Sequence, residues 1–279
     1  MSTLTITTIQ TNLHWENKQA NLLLLEDRLR NLEQKTEIVV LPEMFSTGFS
    51  MRPQDLAETM EGETVMWMKE MAAEYRIVLT GSIIIEEEGK FFNRLIWMLP
   101  NGQSAHYDKR HLFAFAGEDK FYSPGNKRLI AQVKGWKINL QVCYDLRFPV
   151  WGRQQLQTTA TTSTGAEQSL EYDILLYVAN WPQRRSHAWK TLLCARAIEN
   201  QSYVVGVNRV GKDGNDIYHS GNSMVVDPLG EVMYHMADEE DSFTITLQKE
   251  HLETVRTKFP FWKDADDFNL LQSEVSKSA

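Results

Sequence analysis

A chain of 279 residues with 42% hydrophobic and 24% charged residues has the balance of a globular protein with a sizeable core. Its net charge of −8 argues against a general nucleic-acid partner, which calls for a basic face, although one well-placed arginine suffices locally for an anionic ligand. No run is long and apolar enough to span a bilayer, and residues 1–6 lack the basic segment and apolar stretch of a secretory signal. Two cysteines, Cys143 and Cys194, imply no disulfide framework, so the expected setting is the reducing cytoplasm.

Short β-branched runs alternate with helical patterns along the chain. Residues 3–9 are predicted to form a strand, 20–32 a helix with one apolar face, and 37–41 a buried strand ending at Pro42-Glu43. The spacing of Val65, Met66, Met68 and Met71 predicts a helix over Glu63–Tyr75, with the methionines as core filler. Strands follow at 77–80, 82–86 and 91–99, with a turn at Glu88-Gly89-Lys90, and Asn101-Gly102 marks the turn into Ser104–Asp108. Residues 110–125 are loop-like and rich in aromatics and glycine, and the strand 137–142 runs straight into Cys143. The polar tract 158–168 is expected to be a surface loop. Beyond it the pattern predicts strands at 174–178, 203–207, 222–226, 231–234 and 243–247, and a helix over 187–200 that buries Cys194. Treating 158–168 as a linker separates Cys143 from strands of its own sheet, so residues 1–279 are expected to form a single domain. Its C-terminal tail, from about residue 259, carries Phe261, Trp262 and Phe268 and is expected to dock on a neighbouring surface or subunit. Alternation suggests α/β and the hairpin signals exclude a purely parallel sheet; two packed mixed sheets with helices outside satisfy both.

Cys143 stands at the carboxyl end of a strand, where α/β folds place reactive groups and where neighbouring N–H groups are free to face a developing oxyanion. The competing reading is a small buried hydrophobe. Glu43 and Lys109 end two further strands; singly each reads as a surface charge, but an acid, a cation and a thiol at three strand ends argue for chemistry together. His111 offers a thiol–imidazole alternative, since it lies two residues from Lys109. The seven histidines form no metal-binding spacing, and no phosphate-cradling glycine motif occurs.

Three blocks carry a resemblance: Leu41-Pro42-Glu43, Tyr107-Asp108-Lys109-Arg110-His111-Leu112-Phe113, and Val142-Cys143-Tyr144-Asp145-Leu146-Arg147-Phe148-Pro149. With Ala179-Asn180-Trp181-Pro182, Ala195-Arg196-Ala197-Ile198-Glu199-Asn200 and Ser220-Gly221-Asn222-Ser223 they form an ordered set that resembles the nitrilase superfamily, the carbon–nitrogen hydrolases. The resemblance implies an αββα sandwich, usually dimerised through helices, with Glu43, Lys109 and Cys143 as catalytic triad, Glu118 as a second acid, and no metal or organic cofactor. It makes His111 structural. Glu43 then shuttles the proton, Lys109 and the Tyr144 N–H hold the oxyanion, and Glu118 orients Lys109 or the water.

Within the superfamily, the Cys143–Pro149 block, Asn180-Trp181-Pro182 and Phe113-Ala114-Phe115-Ala116-Gly117-Glu118 look like the omega-amidase branch, whose substrates are short 2-oxo dicarboxylic acid monoamides such as 2-oxoglutaramate and 2-oxosuccinamate. Arg147 is the natural partner for the substrate's distal carboxylate; the competing reading is a salt bridge to Asp145 or Glu199. Phe115 and Trp181 are expected to wall the pocket. Val150, where many relatives carry glutamate, and the tract 158–168 depart from the pattern and bear on substrate rather than reaction type. Other acyl substrates (an N-carbamoyl compound, a glutathione-derived deaminated amide, a nitrile) and a non-catalytic binding or assembly role are the alternatives; the intact Glu43–Lys109–Cys143 set argues against the last.

Overall fold

A computed structural model describes residues 2–161 and 165–270. In chain order they form β1 (Thr3–Gln10), α1 (Lys18–Arg30), β2 (Ile38–Val40), α2 (Pro53–Leu56), α3 (Glu63–Tyr75), β3 (Val78–Glu87), β4 (Lys90–Met98) and β5 (Ser104–Asp108). There follow β6 (Ile130–Val133), β7 (Trp136–Val142), α4 (Pro149–Gly152), β8 (Leu156–Thr161), β9 (Gly165–Leu170), β10 (Ile174–Ala179) and α5 (Ser186–Asn200). The chain continues through β11 (Tyr203–Asn208), β12 (Val210–Lys212), β13 (Tyr218–Val226), β14 (Val232–Ala237), β15 (Asp241–Gln248) and α6 (Lys249–Lys258).

Two mixed sheets result. The first runs β15-β1-β2-β3-β4-β5, with β1, β2 and β3 parallel and the outer pairings antiparallel. The second runs β12-β13-β11-β10-β7-β6, with β14 on β13; its centre, β7-β10-β11, is parallel. The strand pleat sorts side chains between two cores. Ile38, Val40, Leu95 and Trp97 face the second sheet and pack with Ile138, Leu140 and Val142. Their neighbours Val39, Leu41, Ile96 and Met98 face the other way, onto Leu25 of α1 and Met68 of α3. Trp189 and Leu193 of α5 close the far side of the second sheet. The layers are therefore helix, sheet, sheet, helix, the arrangement expected from the alternation and the hairpin signals.

Several expectations are corrected. One strand, not two, runs from Val78 to Glu87, because Gly81 serves as a close-packing point within the strand rather than as a break. The tract 158–168, expected to be a surface loop, lies largely in β8 and β9, which pair antiparallel from Leu156↔Leu170 to Thr161↔Gly165; its threonines favour extended backbone. Residues 162–164 of that tract lie outside the described residues. The sequence pattern did not reveal β6, β12 or α6. The start of the tail, in keeping with docking on a neighbouring surface, meets its own chain: buried Gln201 donates to the Phe259 carbonyl at 2.7 Å and accepts from the Trp262 N–H at 3.1 Å. Cys194, expected to be buried, is only partly so, and Met66 on α3 is exposed.

Candidate active site

The ends of four strands converge. After β2 the chain is laid along β3: Leu41 N–H donates to the Thr80 carbonyl, Phe45 N–H to that of Ser82, and Met44 N–H to the Ser82 hydroxyl. A Cβ on Gly81 would sit 2.8 Å from both the Leu41 Cβ and the Phe45 ring, so glycine is what allows this approach. Glu43 is thereby turned into the interior. Lys109 follows β5 and is pinned by its N–H to the Asn93 carbonyl of β4 at 3.0 Å. Cys143 follows β7 and begins a 3₁₀ turn, Cys143–Arg147, with φ at 46°, in the left-handed region that costs a non-glycine residue of order 1–3 kcal/mol. Asn180 follows β10.

Lys109 Nζ donates to Glu43 Oε1 at 2.8 Å and to Glu118 Oε1 and Oε2 at 3.1 and 2.9 Å, with all three side chains buried. Asn93 Nδ2 bridges the two carboxylates, reaching Glu43 Oε1 at 2.8 Å and Glu118 Oε1 at 3.2 Å. Glu43 Oε2 accepts the Asn180 N–H at 2.8 Å, the Asn180 side chain returns a bond to the Glu43 carbonyl at 2.5 Å, and Glu118 Oε2 accepts the Phe113 N–H at 2.6 Å. Each carboxylate is thus oriented by fixed donors on both oxygens.

Burial pulls Lys109 down, but Glu118 and Glu43 outweigh it and hold the ammonium well above its ordinary value. Burial raises Glu118, opposed by Lys109 and reinforced by Glu43. The Cys143 thiol is pushed well up by burial and by Glu43, against a smaller pull from Lys109. The raised thiol favours its neutral form, beside the Glu43 side chain.

His111 is engaged elsewhere. Its Nδ1 lies 2.8 Å from Asp145 Oδ1, its own N–H donates to the same oxygen, and its ring stacks on Phe148 at 3.9 Å between centroids. Asp145 also accepts from the Tyr107 hydroxyl at 2.7 Å and the Val142 N–H at 3.0 Å, so it ties the cysteine turn to the Lys109 segment.

Cys143 opens on a cavity of about 220 Å³ lined also by Tyr144, Arg147, Asn180, Trp181 and Phe113. Arg147 lies over the Trp181 ring, its Cζ 5.0 Å from the centroid, and pairs with neither Asp145 nor Glu199; Glu199 is held by Arg196. Phe115 touches the cavity but is 81% exposed, at the rim; Trp181 lines it as expected, together with Phe49 and with Phe113, which packs against Tyr144 at 5.0 Å. Arg184, Arg185 and buried His219 line it as well, and none of the three stood out in the sequence. Asn93 was equally hidden, lying beside Arg94 in a strand whose other interior residues are apolar or aromatic. Among the described residues no group of three His, Cys, Asp or Glu side chains is placed to hold a metal ion.

A two-sheet sandwich with a thiol, a lysine and a carboxylate at its strand ends, and a second carboxylate on the segment after β5, is the arrangement of a hydrolase class. The carbon-nitrogen hydrolase family model matches residues 5–257, and the chain belongs to that family. It is 41% identical over 272 residues to the omega-amidase YafV of Yersinia enterocolitica, covering 97% of this chain and 100% of that protein. It is 40% identical over 274 residues to the omega-amidase YafV of Escherichia coli K12, with the same coverage. The crystal structure of a CN-hydrolase superfamily protein from Xanthomonas campestris, with an arsenic adduct in its active site, superposes with a TM-score of 0.91 at 42% identity, covering 97% of this chain and 100% of that one.

Proposed function

We propose that the protein is an omega-amidase-type hydrolase that releases ammonia from short 2-oxo dicarboxylic acid monoamides, 2-oxoglutaramate and 2-oxosuccinamate among them. Cys143 is the nucleophile, Glu43 the general base and acid, and Lys109 with the Tyr144 N–H the oxyanion donors. Glu43 takes the thiol proton as sulfur attacks the amide carbon, then returns it to the departing nitrogen, leaving a thioester and ammonia. Water attacks the thioester, Glu43 accepting its proton; collapse releases the carboxylic acid and restores the thiol. Glu118, bonded to Lys109 through both oxygens, keeps the ammonium aimed. No cofactor takes part in these steps.

One observation carries the substrate reading: Arg147 shares the cavity with Cys143 and has no carboxylate partner among the described residues. The relatives named omega-amidase support the same reading. A homodimer in the cytoplasm belongs to the proposal, and sedimentation tests the first part.

The test is ammonia release from 2-oxoglutaramate, a neutral short amide, an N-carbamoyl compound and a nitrile, with 2-oxoglutaramate expected to give the highest kcat/KM. Arg147→Lys keeps the charge but loses the two-pronged geometry, and is expected to lower kcat/KM for 2-oxoglutaramate by about ten- to a hundredfold and for the neutral amide far less. Equal losses on both place Arg147 in the turn's scaffold; no loss on either removes the substrate assignment.

A further inference from the structure

The cavity holds more positive charge than one carboxylate requires. Arg185 lines it beside Arg147, with its guanidinium Cζ 4.8 Å from the centroid of the Phe113 ring. Its main-chain carbonyl accepts the Trp181 indole N–H at 2.8 Å, so the ring beneath Arg147 also anchors Arg185. Burial lowers Arg185, and Arg184 and Arg147, both cations, lower it further; the neighbouring groups that oppose this are Cys143 and Tyr144. Among the described residues neither Arg147 nor Arg185 forms an ion pair. Asp213, the acid among the lining residues, turns Oδ1 to the N–H groups of Asn215 and Ile217, and its one negative charge is outnumbered by Arg147, Arg184 and Arg185. Two guanidinium groups are therefore held on aromatic faces, against their mutual repulsion, around a space that opens on the thiol. Such a space favours net negative charge and lone pairs and resists a cation.

Building on the amidase reading above, we infer that Arg185 is a specificity-determining residue that reads C2 of the substrate, donating to a 2-oxo oxygen and repelling a 2-ammonium group. With the C1 carboxylate on Arg147, the adjacent C2 substituent falls beside the second guanidinium. A ketone oxygen there accepts a hydrogen bond, whereas the ammonium of glutamine adds a further positive charge to a partly desolvated site. The device selects 2-oxo acid amides over the amino acid amides that share their chain length and reacting group.

The experiment measures kcat/KM for 2-oxoglutaramate, glutaric acid monoamide and L-glutamine. These differ at C2 alone: oxo, methylene, ammonium. Wild type is expected to rank them in that order. Arg185→Gln is expected to lower 2-oxoglutaramate about tenfold relative to the monoamide and to raise glutamine about tenfold relative to it. Arg185→Lys, which keeps the charge, is expected to keep glutamine excluded. Thermal melts report folding, and Arg185→Met, which keeps the stem over Phe113, replaces the Gln variant if that one fails to fold. Equal changes on all three substrates, or a wild type that does not discriminate between oxo and ammonium, overturn this inference while leaving the amidase reading intact. A wild type that cleaves none of the three overturns the amidase reading and this inference with it.

Discussion

Lys109 is the residue whose removal should do most damage, because it neutralises two carboxylates that have no exposed surface. Lys109→Met leaves Glu43 and Glu118 facing each other in the interior, and breaking a buried ionic cluster costs about 3–5 kcal/mol. Urea denaturation is expected to show that loss alongside the loss of activity, so Lys109 variants report stability as well as oxyanion stabilisation. Cys143→Ala is the contrasting case: it removes one sulfur, keeps the main chain, and should abolish turnover with little change in melting. Mass spectrometry of quenched wild type should find the acyl adduct on Cys143; an adduct on Cys194 refutes the assignment. Glu43→Gln is expected to lower the rate by at least about two orders of magnitude. His111→Asn removes one of several donors to Asp145 and should cost far less; the reverse order would restore the thiol–imidazole alternative. The quartet of Glu43, Lys109, Glu118 and Cys143 was legible because strand ends and ordered motifs point to it. Asn93 and the Asn180–Glu43 clamp were not, because alternation assigns a side chain to a face and is silent on which distant partner meets it there.

At the scale of elements, the turn carrying Glu43 depends on its seat against β3. Gly81→Ala drives a methyl group into the Leu41 and Phe45 side chains, an overpacking that costs about 1–3 kcal/mol. Since those two residues flank Glu43, the expected result is a fall in kcat that exceeds any change in KM, read from steady-state kinetics beside a melting curve. The same glycine explains why the sequence pattern divides one strand into two: a turn-forming residue and a close-packing residue look alike until a neighbour is known. β6 and β12 are too short to show a period, and α6 is polar enough to pass for loop, with Leu252 and Val255 as its buried residues. On β13, His219 is buried near Arg209, and burial followed by that charge lowers it from 6.5 to about 4. The fold thus favours the neutral ring. The stability this contributes is complete above pH 6.5 and is lost as pH falls through 4, amounting to about 2 kcal/mol lost by pH 5. Wild type should melt lower at pH 5 than at pH 7, and His219→Gln should flatten that slope.

Across the whole molecule, the site exists only where the two sheets meet. Glu43 and Lys109 come from the first sheet, Cys143 and Asn180 from the second, and the paired bonds between Asn180 and Glu43 cross between them. A second crossing joins the end of β1 to the middle of β13, where Gln10 Oε1 accepts both the N–H and the hydroxyl of Ser223, at 3.0 and 2.7 Å. Between these points Ile38, Val40, Leu95 and Trp97 share one apolar cluster with Ile138, Leu140 and Val142. Neither sheet can leave the other without exposing that cluster and orphaning a buried carboxylate and a buried amide. At roughly 25 cal/mol per Å² of apolar surface, such separation costs far more than a domain's usual margin. The described residues should therefore unfold as one cooperative unit, a stricter form of the single-domain expectation drawn from where 158–168 falls. The check is urea denaturation followed by far-UV circular dichroism, by tryptophan fluorescence and by residual ammonia release. Trp97 lies in the first sheet and Trp136 in the second, so fluorescence senses both. Coincident midpoints are expected. A plateau with fluorescence half changed and activity gone would show the sheets parting first, and would make the inter-sheet contact, rather than either core, the limit on the enzyme's stability.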